Sequence, residues 1–172
     1  ADCNIFINDD RNAWSVDMLN PEATQGFLER IHERYHARVS SHFGGTLKGF
    51  FYDEPKVSTL RPWTADFAAR FQAKAGYDIT DLLPEIVVDY MMDSGDHGQW
   101  RRPAAVQRAK ADYYDVWTSL MAESFYQPVH QWCCRHGVIS TGHQLGDNSL
   151  EEMKYGGGVF FKNLSHSDMP GV

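Results

Sequence analysis

The sequence predicts an α/β fold in which short parallel strands alternate with helices. Apolar runs typical of buried strands are separated by segments with helical periodicity, in the order strand, helix, strand, helices, strand, helix, strand. Continuous apolar runs are typical of parallel strands that are covered on both faces. Because 172 residues suffice for one core, we expect residues 1–172 to form a single α/β domain.

The composition excludes several classes of protein. Hydrophobic residues make up 42% of the chain and charged residues 23%, which is typical of a folded domain and not of a disordered chain. The net charge is −7. Nucleic acids and anionic membranes select basic surfaces, so we expect neither as a partner. No apolar run reaches the roughly 18 residues of a membrane span.

The sequence predicts four strands and one long loop. Residues 3–8 alternate between apolar and polar side chains. Residues 46–52 and 138–142 are apolar runs of strand length, and residues 156–161 are predicted as a further strand after three glycines. Residues 92–103 are polar and contain glycine, which indicates a loop.

Helix signals occupy the segments between these strands. Asn20 is predicted as an N-cap and Pro21 as the first helical residue, with Gly44 ending the helical region. Residues at i+4 spacing form its predicted core face, namely Phe27, Ile31, Tyr35 and Val39. Thr64 is predicted to cap a second helix that ends at Gly76.

The longest periodic segment runs from residue 104 to residue 136. One stripe is predicted to be buried, namely Val106, Ala109, Tyr113, Trp117, Leu120, Ser124 and Val129. Pro128 is expected to kink or divide this helix, and Gly137 to end it.

The three cysteines do not form a disulfide framework. Their number is odd, which leaves at least one cysteine unpaired. Cys133 and Cys134 are adjacent, and a disulfide between neighbouring residues requires strained geometry. The paired Cys-x-x-Cys spacing of a zinc site is absent. We therefore expect one of the adjacent pair to pack as a small apolar residue on a helix.

Acidic and imidazole side chains follow three of the predicted strands. They are Asp53 and Glu54 after the first, His143 and Asp147 after the second, and His166 and Asp168 after the third. In parallel α/β folds, functional residues gather beyond the carboxyl ends of the strands. Each group also has a structural explanation, since acidic turns, core histidines and surface loops are common.

Two carboxylates among aromatic side chains favour glycoside hydrolysis. A glutamate packed against Phe51 and Tyr52 would have the raised pKa of a general acid, and aromatic rings stack on sugars. Glu151 and Glu152 are rival carboxylates to Asp147, with a solvated turn as their alternative explanation. No phosphate-binding loop, Gly-x-Ser-x-Gly elbow or His-Glu-x-x-His motif is present.

The chain resembles the barrel of bacterial α-L-rhamnosidases of glycoside hydrolase family 106. The motifs that carry the resemblance occur in order along the chain, at residues 16–23, 33–35, 49–55, 62–64, 76–78, 112–114, 125–128, 132–133, 136–137, 141–143 and 169–171. The resemblance implies part of a (β/α)8 barrel that hydrolyses terminal α-L-rhamnosides with inversion. It also implies a calcium ion near the sugar hydroxyls and a periplasmic or extracellular location.

The same resemblance implies roles for individual residues. Glu54 matches the general acid. The second carboxylate is expected at Asp147, although relatives carry a glutamate shortly after the Gly-His pair, so Glu151 and Glu152 stay open. His143 is expected to contact the sugar. Asp53, Trp63 and His166 complete the expected substrate-binding set.

The length of the chain leaves alternative functions open. A complete barrel needs about 200–250 residues, so we expect a fragment or truncated form of one. The alternative to a glycosidase is a non-catalytic carbohydrate-binding domain. A third hypothesis is a self-associating module, a homodimer that covers exposed barrel edges.

Overall fold

A computed structural model describes residues 16–57, 61–87, 103–149, 152–154 and 156–171. These residues form two compact units, one built from the chain up to Thr64 and from Thr118 onward, the other from Ala65–Trp117. The predicted strand at residues 3–8 and residues 92–102 of the predicted loop lie outside the described residues.

Three parallel strands form the sheet of the first unit. They are β1 (Gly49–Tyr52), β2 (Ile139–Gly142) and β3 (Met169–Pro170), in the spatial order β1-β2-β3. β1 and β2 pair in register from Gly49 opposite Ile139 to Tyr52 opposite Gly142. The prediction of parallel strands within residues 46–52 and 138–142 is thus confirmed, and the fold mixes helices with a parallel sheet.

Residues 83–87 are helical, and six further α-helices have both ends in the described residues. They are α1 (Pro21–Arg30), α2 (His32–Val39), α3 (Phe67–Ala75), α4 (Ala104–Met121), α5 (Gln127–Arg135) and α6 (Phe160–Leu164). α1 packs against α5, and α5 packs against β2. In the described ranges, no helix combines the length and the apolar character that crossing a membrane requires.

The start of α1 is as predicted, but its buried face is not. The Asn20 side chain accepts a hydrogen bond from the Glu22 backbone N–H at 2.9 Å, and Pro21 occupies the first turn. The buried residues are Thr24 and Leu28 on α1 and His32 at the start of α2, whereas Ile31 and Tyr35 are 43% and 53% exposed. The true face is displaced by one residue, about 100° around the helix, from the predicted one.

Packing against β1 explains this displacement. The buried His32 ring stacks on Phe50 at 4.4 Å between centroids and meets the edge of Trp132 at 5.0 Å. Burial lowers the pKa of His32 to about 4, so the ring is neutral at neutral pH. A neutral imidazole is hard to identify as a core residue by apolar spacing, because histidine counts as polar in such patterns.

The long helical segment is divided where a proline was expected to disturb it. Between α4 and α5 lies a π-helical segment, Ala122–Tyr126, and Pro128 stands in the first turn of α5. Pro128 has no N–H that could donate to the Ser124 carbonyl, so the regular helical hydrogen-bond pattern is interrupted there. A π-helical segment, with its wider hydrogen-bonded turns, accommodates the interruption. The whole predicted stripe is buried, namely Val106, Ala109, Tyr113, Trp117, Leu120, Ser124 and Val129.

Residues 156–161 do not form the strand that was predicted. Gly156 and Gly158 have φ angles of 107° and 78°, which produce a turn rather than an extended segment, and α6 begins at Phe160. The third strand is instead Met169–Pro170, which pairs with Thr141 and Gly142. Two residues are too short for an apolar run to reveal.

The second unit packs around α3. Phe67 and Phe71 are buried, and the Phe67 ring lies 5.3 Å from the Tyr113 ring. Gly76, with φ of 84°, ends the helix as predicted. The predicted N-cap is wrong: the cap position is held by Asp66. The Thr64 hydroxyl instead donates to the Asp17 carboxylate at 2.8 Å in the first unit.

The adjacent cysteines on α5 have opposite environments. Cys133 is fully buried and Cys134 is exposed, and both are free thiols. The prediction that one of them packs as a small apolar residue is confirmed for Cys133. Burial, with the nearby Asp168 carboxylate, raises the pKa of the Cys133 thiol to about 12.

Candidate functional site

The carboxyl edge of the sheet is the end at which Tyr52, Gly142 and Pro170 finish their strands. The backbone pairing continues one step beyond the strands. The His143 N–H donates to the Tyr52 carbonyl at 3.0 Å, and the Gly171 N–H donates to the Gly142 carbonyl at 3.1 Å. The residues that follow each strand are therefore held side by side by main-chain hydrogen bonds.

Asp53 and His143 meet at this edge. Their strands are neighbours, and the Asp53 Oδ1 lies 3.6 Å from the His143 Nδ1. The side chains are 79% and 47% exposed, so both are accessible to a ligand. The Phe51 ring stands edge-on to the His143 ring at 4.9 Å and is itself exposed. The carboxyl edge thus carries an accessible carboxylate, an imidazole and an aromatic ring.

Glu54 has an unusual backbone conformation. In the described parts of the chain it is the one non-glycine residue with positive φ, at 46°. A non-glycine residue in this region costs about 1–3 kcal/mol, and such strain concentrates at functional sites. Pro55, which follows, is buried and anchors the strained turn, while the Glu54 side chain is exposed.

The three candidates for the second carboxylate have different surroundings. Asp147 is half-buried in the turn after β2, next to Gly146 with φ of 78°. Glu152 is exposed in a short 3-10 turn and accepts from the Asn148 side chain at 3.1 Å. Glu151 lies outside the described residues. The choice between these carboxylates stays a prediction.

His166 does not follow a strand, because the strand predicted before it is a turn and α6. It lies between α6 and β3, so it precedes its strand instead of following it. Burial, together with the neighbouring His130, lowers the pKa of His166. Asp168 accepts from the Ser140 N–H at 2.8 Å and lies 3.3 Å from His130. The substrate-binding role of His166 stays a prediction.

Trp63 is half-buried in the segment that precedes α3. Its neighbour Thr64 is buried and bonded to Asp17, whose other carboxylate oxygen accepts from the Leu19 N–H at 3.0 Å. This anchoring holds the backbone beside Trp63. Its expected contact with a sugar stays a prediction.

A buried polar network supports the segment that follows β2. The Asn163 side chain donates to the Gln144 side-chain oxygen at 2.9 Å and to the Gly157 carbonyl at 2.7 Å. The rings of Tyr52 and Tyr126 meet edge to face at 5.3 Å beside it. Burial raises the pKa of both phenols, so they stay protonated. The network fixes the backbone on which His143 stands.

Calcium at the carboxyl edge, which the resemblance implies, stays a prediction. Calcium takes six to eight oxygen ligands, several of them carboxylates. In the described ranges, two groups of three His, Cys, Asp or Glu side chains converge, Glu33 with His36 and His136, and His130 with Cys134 and Asp168. Neither group includes Asp53, Glu54 or His143.

Two features of this edge were not predicted from the sequence. The first is the contact of Phe51 with His143, which requires the strand register. The second is the strain at Glu54. A glutamate directly before proline is a weak signal of unusual backbone, because proline restricts the preceding residue.

Comparison with known proteins finds no matching protein-family model but does find similar proteins. A protein of Formosa agariphila named "Putative beta-glucuronidase" is 24% identical over 123 residues, which are 72% of this chain and 10% of that protein. The structure of a rhamnosidase from Novosphingobium sp. PP1Y aligns with a TM-score of 0.65 and 21% identity. The alignment covers 91% of this chain and 14% of the rhamnosidase.

The chain shares its fold with part of that rhamnosidase. It spans only about a tenth of the length of the curated relative.

Proposed function

We propose that this chain is part of the catalytic domain of a glycoside hydrolase, and that the carboxyl edge binds the sugar. The observation that carries the proposal is the meeting of Asp53 and His143 beyond two adjacent parallel strands, with Glu54 next to them. Parallel α/β enzymes place their catalytic groups at this end of the sheet. The names of both similar proteins support the same class of substrate.

We further propose that the sheet belongs to a (β/α)8 barrel. Among the described residues, β1, β2 and β3 follow one another in chain order, are parallel and have helices between them, as in successive units of a barrel. The face of the sheet that carries the exposed Phe51 and Met169 would then point toward the barrel interior.

Glu54 is the proposed general acid. It would protonate the glycosidic oxygen as the bond to the anomeric carbon breaks, while a second carboxylate takes a proton from the attacking water. Inversion follows because that water approaches from the opposite face of the sugar. The acidic and basic carboxyl groups must then lie about 6.5–9.5 Å apart to hold the water between them.

His143 and Asp53 are proposed to bind the sugar hydroxyls. The Asp53 carboxylate beside the His143 Nδ1 favours the tautomer that carries its proton there. The Nε2 is then free to accept from a hydroxyl, while Phe51 and Trp63 offer aromatic surface for the apolar side of a sugar ring.

Turnover of aryl glycosides tests the proposal. We expect hydrolysis of an aryl α-L-rhamnoside, and loss of at least about 100-fold in kcat for Glu54→Gln, because the amide cannot donate the proton. Glu29→Gln removes an exposed carboxylate from α1 and serves as the matched control with unchanged kcat. An aryl β-D-glucuronide is the competing substrate. Equal activity of Glu54→Gln and the wild type would contradict the assignment.

The same assay identifies the second carboxylate. Asp147→Asn should reduce kcat if Asp147 activates the water, whereas Glu152→Gln should not. Proton NMR of the first product anomer reports inversion directly. Sugar binding without turnover would instead favour the non-catalytic carbohydrate-binding alternative.

A further inference from the structure

The most informative cluster outside the carboxyl edge lies between α2 and the end of α5. Glu33 and His36 are three residues apart on α2, so their side chains share one face of the helix. His136 follows α5 directly. The carboxylate and the two imidazoles each place one ligand atom within 4.8 Å of the other two.

From this geometry we infer a binding site for a divalent transition metal, with zinc as the best fit, held by Glu33, His36 and His136. Two imidazoles and one carboxylate are an established donor set for zinc, with water in the fourth position. Bonds of about 2.0–2.1 Å in a tetrahedron place ligand atoms about 3.4 Å apart. Small side-chain rotations of Glu33 and His36 would close the remaining gap.

Trp132 orients two of the three ligands. Its indole N–H donates to the Glu33 carboxylate at 2.6 Å, and its backbone carbonyl lies 2.8 Å from the His136 Nδ1. The proton of His136 is therefore held on Nδ1, which leaves the Nε2 lone pair for a metal. Hydrogen bonds of this kind, to the non-ligating atoms of ligand residues, orient metal ligands in proteins.

The rings are also held in place by packing. His136 stacks on the Trp132 ring at 4.0 Å with an angle of 24° between planes. The His36 ring meets the His136 ring at 4.4 Å and the Phe43 ring at 5.5 Å. Two imidazoles in edge contact repel each other when both are protonated, whereas a shared cation would be attracted to both lone pairs.

The position of the cluster indicates which parts of the fold a bound metal would connect. His136 lies three residues before β2, at the end of the sheet opposite the carboxyl edge. A cation there would link α2 to the α5–β2 connection, and residues at this end of parallel α/β folds serve stability. The inference is independent of the proposed glycosidase activity.

Zinc titration of the metal-free chain, prepared without a polyhistidine tag, tests the inference. Calorimetry should give one zinc ion per chain, and zinc should raise the melting temperature. Glu33→Gln and His36→Gln should each weaken binding by at least about tenfold, since each removes a ligand. Exposed Glu29 and His42 provide matched controls: Glu29→Gln and His42→Gln should leave the affinity unchanged.

Trp132→Phe separates a positioning role from a structural one. It keeps an aromatic ring for stacking but removes the indole donor to Glu33, so affinity should fall by about tenfold while the circular dichroism spectrum is retained. An unchanged zinc affinity in this variant would show that Trp132 does not position Glu33.

Cobalt distinguishes this site from the group formed by His130, Cys134 and Asp168. Cobalt bound by nitrogen and oxygen gives visible absorption without the near-ultraviolet charge-transfer band of a thiolate ligand. We expect that band to be absent and Cys134→Ser to have no effect. Absence of zinc binding, equal binding by all variants, or loss in Cys134→Ser alone would each overturn the inference.

Discussion

Cys133 and Cys134 show how strongly the side of a helix determines the chemistry of a residue. They are adjacent in the sequence, yet one thiol is fully buried and the other is exposed. Burial disfavours the thiolate, which is the reactive form, and this raises the pKa of Cys133 to about 12. The sequence predicted that one of the two cysteines packs as a small apolar residue but did not show which one, because the side chains are identical.

Native-state alkylation tests this difference. With a pKa near 12, only about one Cys133 thiol in 10⁴ is a thiolate at pH 8, and the side chain is also inaccessible. Iodoacetamide should therefore modify Cys134 in the folded protein and Cys133 only after denaturation, as read by tandem mass spectrometry. Cys134→Ser should abolish native labelling of α5. Comparable native rates for both residues would contradict the assigned burial.

Among single residues, Glu54 and His143 were identified from the sequence by their place after apolar strands. Their position at one edge is confirmed by the register of β1 and β2. The contact between His36 and His136 was not foreseen, since 100 residues separate them. The Glu-x-x-His spacing of Glu33 and His36 was the one local signal for that cluster.

At the scale of elements, local chemistry determined where helices begin and end. Asn20 caps α1, and Gly76 and Gly137 adopt the positive φ that terminates α3 and α5. Thr64 was wrongly predicted as a cap because its hydroxyl has a better acceptor in Asp17, 47 positions away in the sequence. Capping propensity is a local quantity, and a tertiary hydrogen bond overrides it.

The stability of α1 can be changed in both directions. Gly26 lies within the helix, and a Cβ there would meet nothing within 4 Å, so Gly26→Ala should stabilise the protein by about 0.5–1 kcal/mol. Asn20→Ala removes the acceptor for the Glu22 N–H and should destabilise it by about 1 kcal/mol. Urea unfolding measures both. Destabilisation by Gly26→Ala would show hidden packing at this position.

At the scale of the whole chain, the sheet joins segments that are far apart in sequence. In the sequence, β1 and β2 are separated by α3, α4 and α5. In the sheet, Tyr52 of β1 pairs directly with Gly142 of β2. A Cβ at Gly142 would overlap both the ring and the carbonyl oxygen of Tyr52. This close contact with Tyr52 is the reason why position 142 carries glycine.

Substitution of Gly142 should therefore weaken the sheet as a whole. We expect Gly142→Ala to lower the free energy of unfolding by about 1–3 kcal/mol, because the methyl group forces β1 and β2 apart. Chemical denaturation monitored by tryptophan fluorescence measures the loss. Gly26→Ala, the same chemical change at an open position, is the control. Equal stability of Gly142→Ala and the wild type would contradict the strand register.

The sequence by itself determined the α/β class, two of the three described strands, the N-cap of α1 and the buried stripe that runs from α4 into α5. These depend on periodicity and on backbone preferences within a few residues. The tertiary structure alone decided the third strand, the buried face of α1 and α2, the strain at Glu54 and the meeting of Glu33 with His136. Each of these depends on contacts between distant segments, whose energies do not appear in any local pattern.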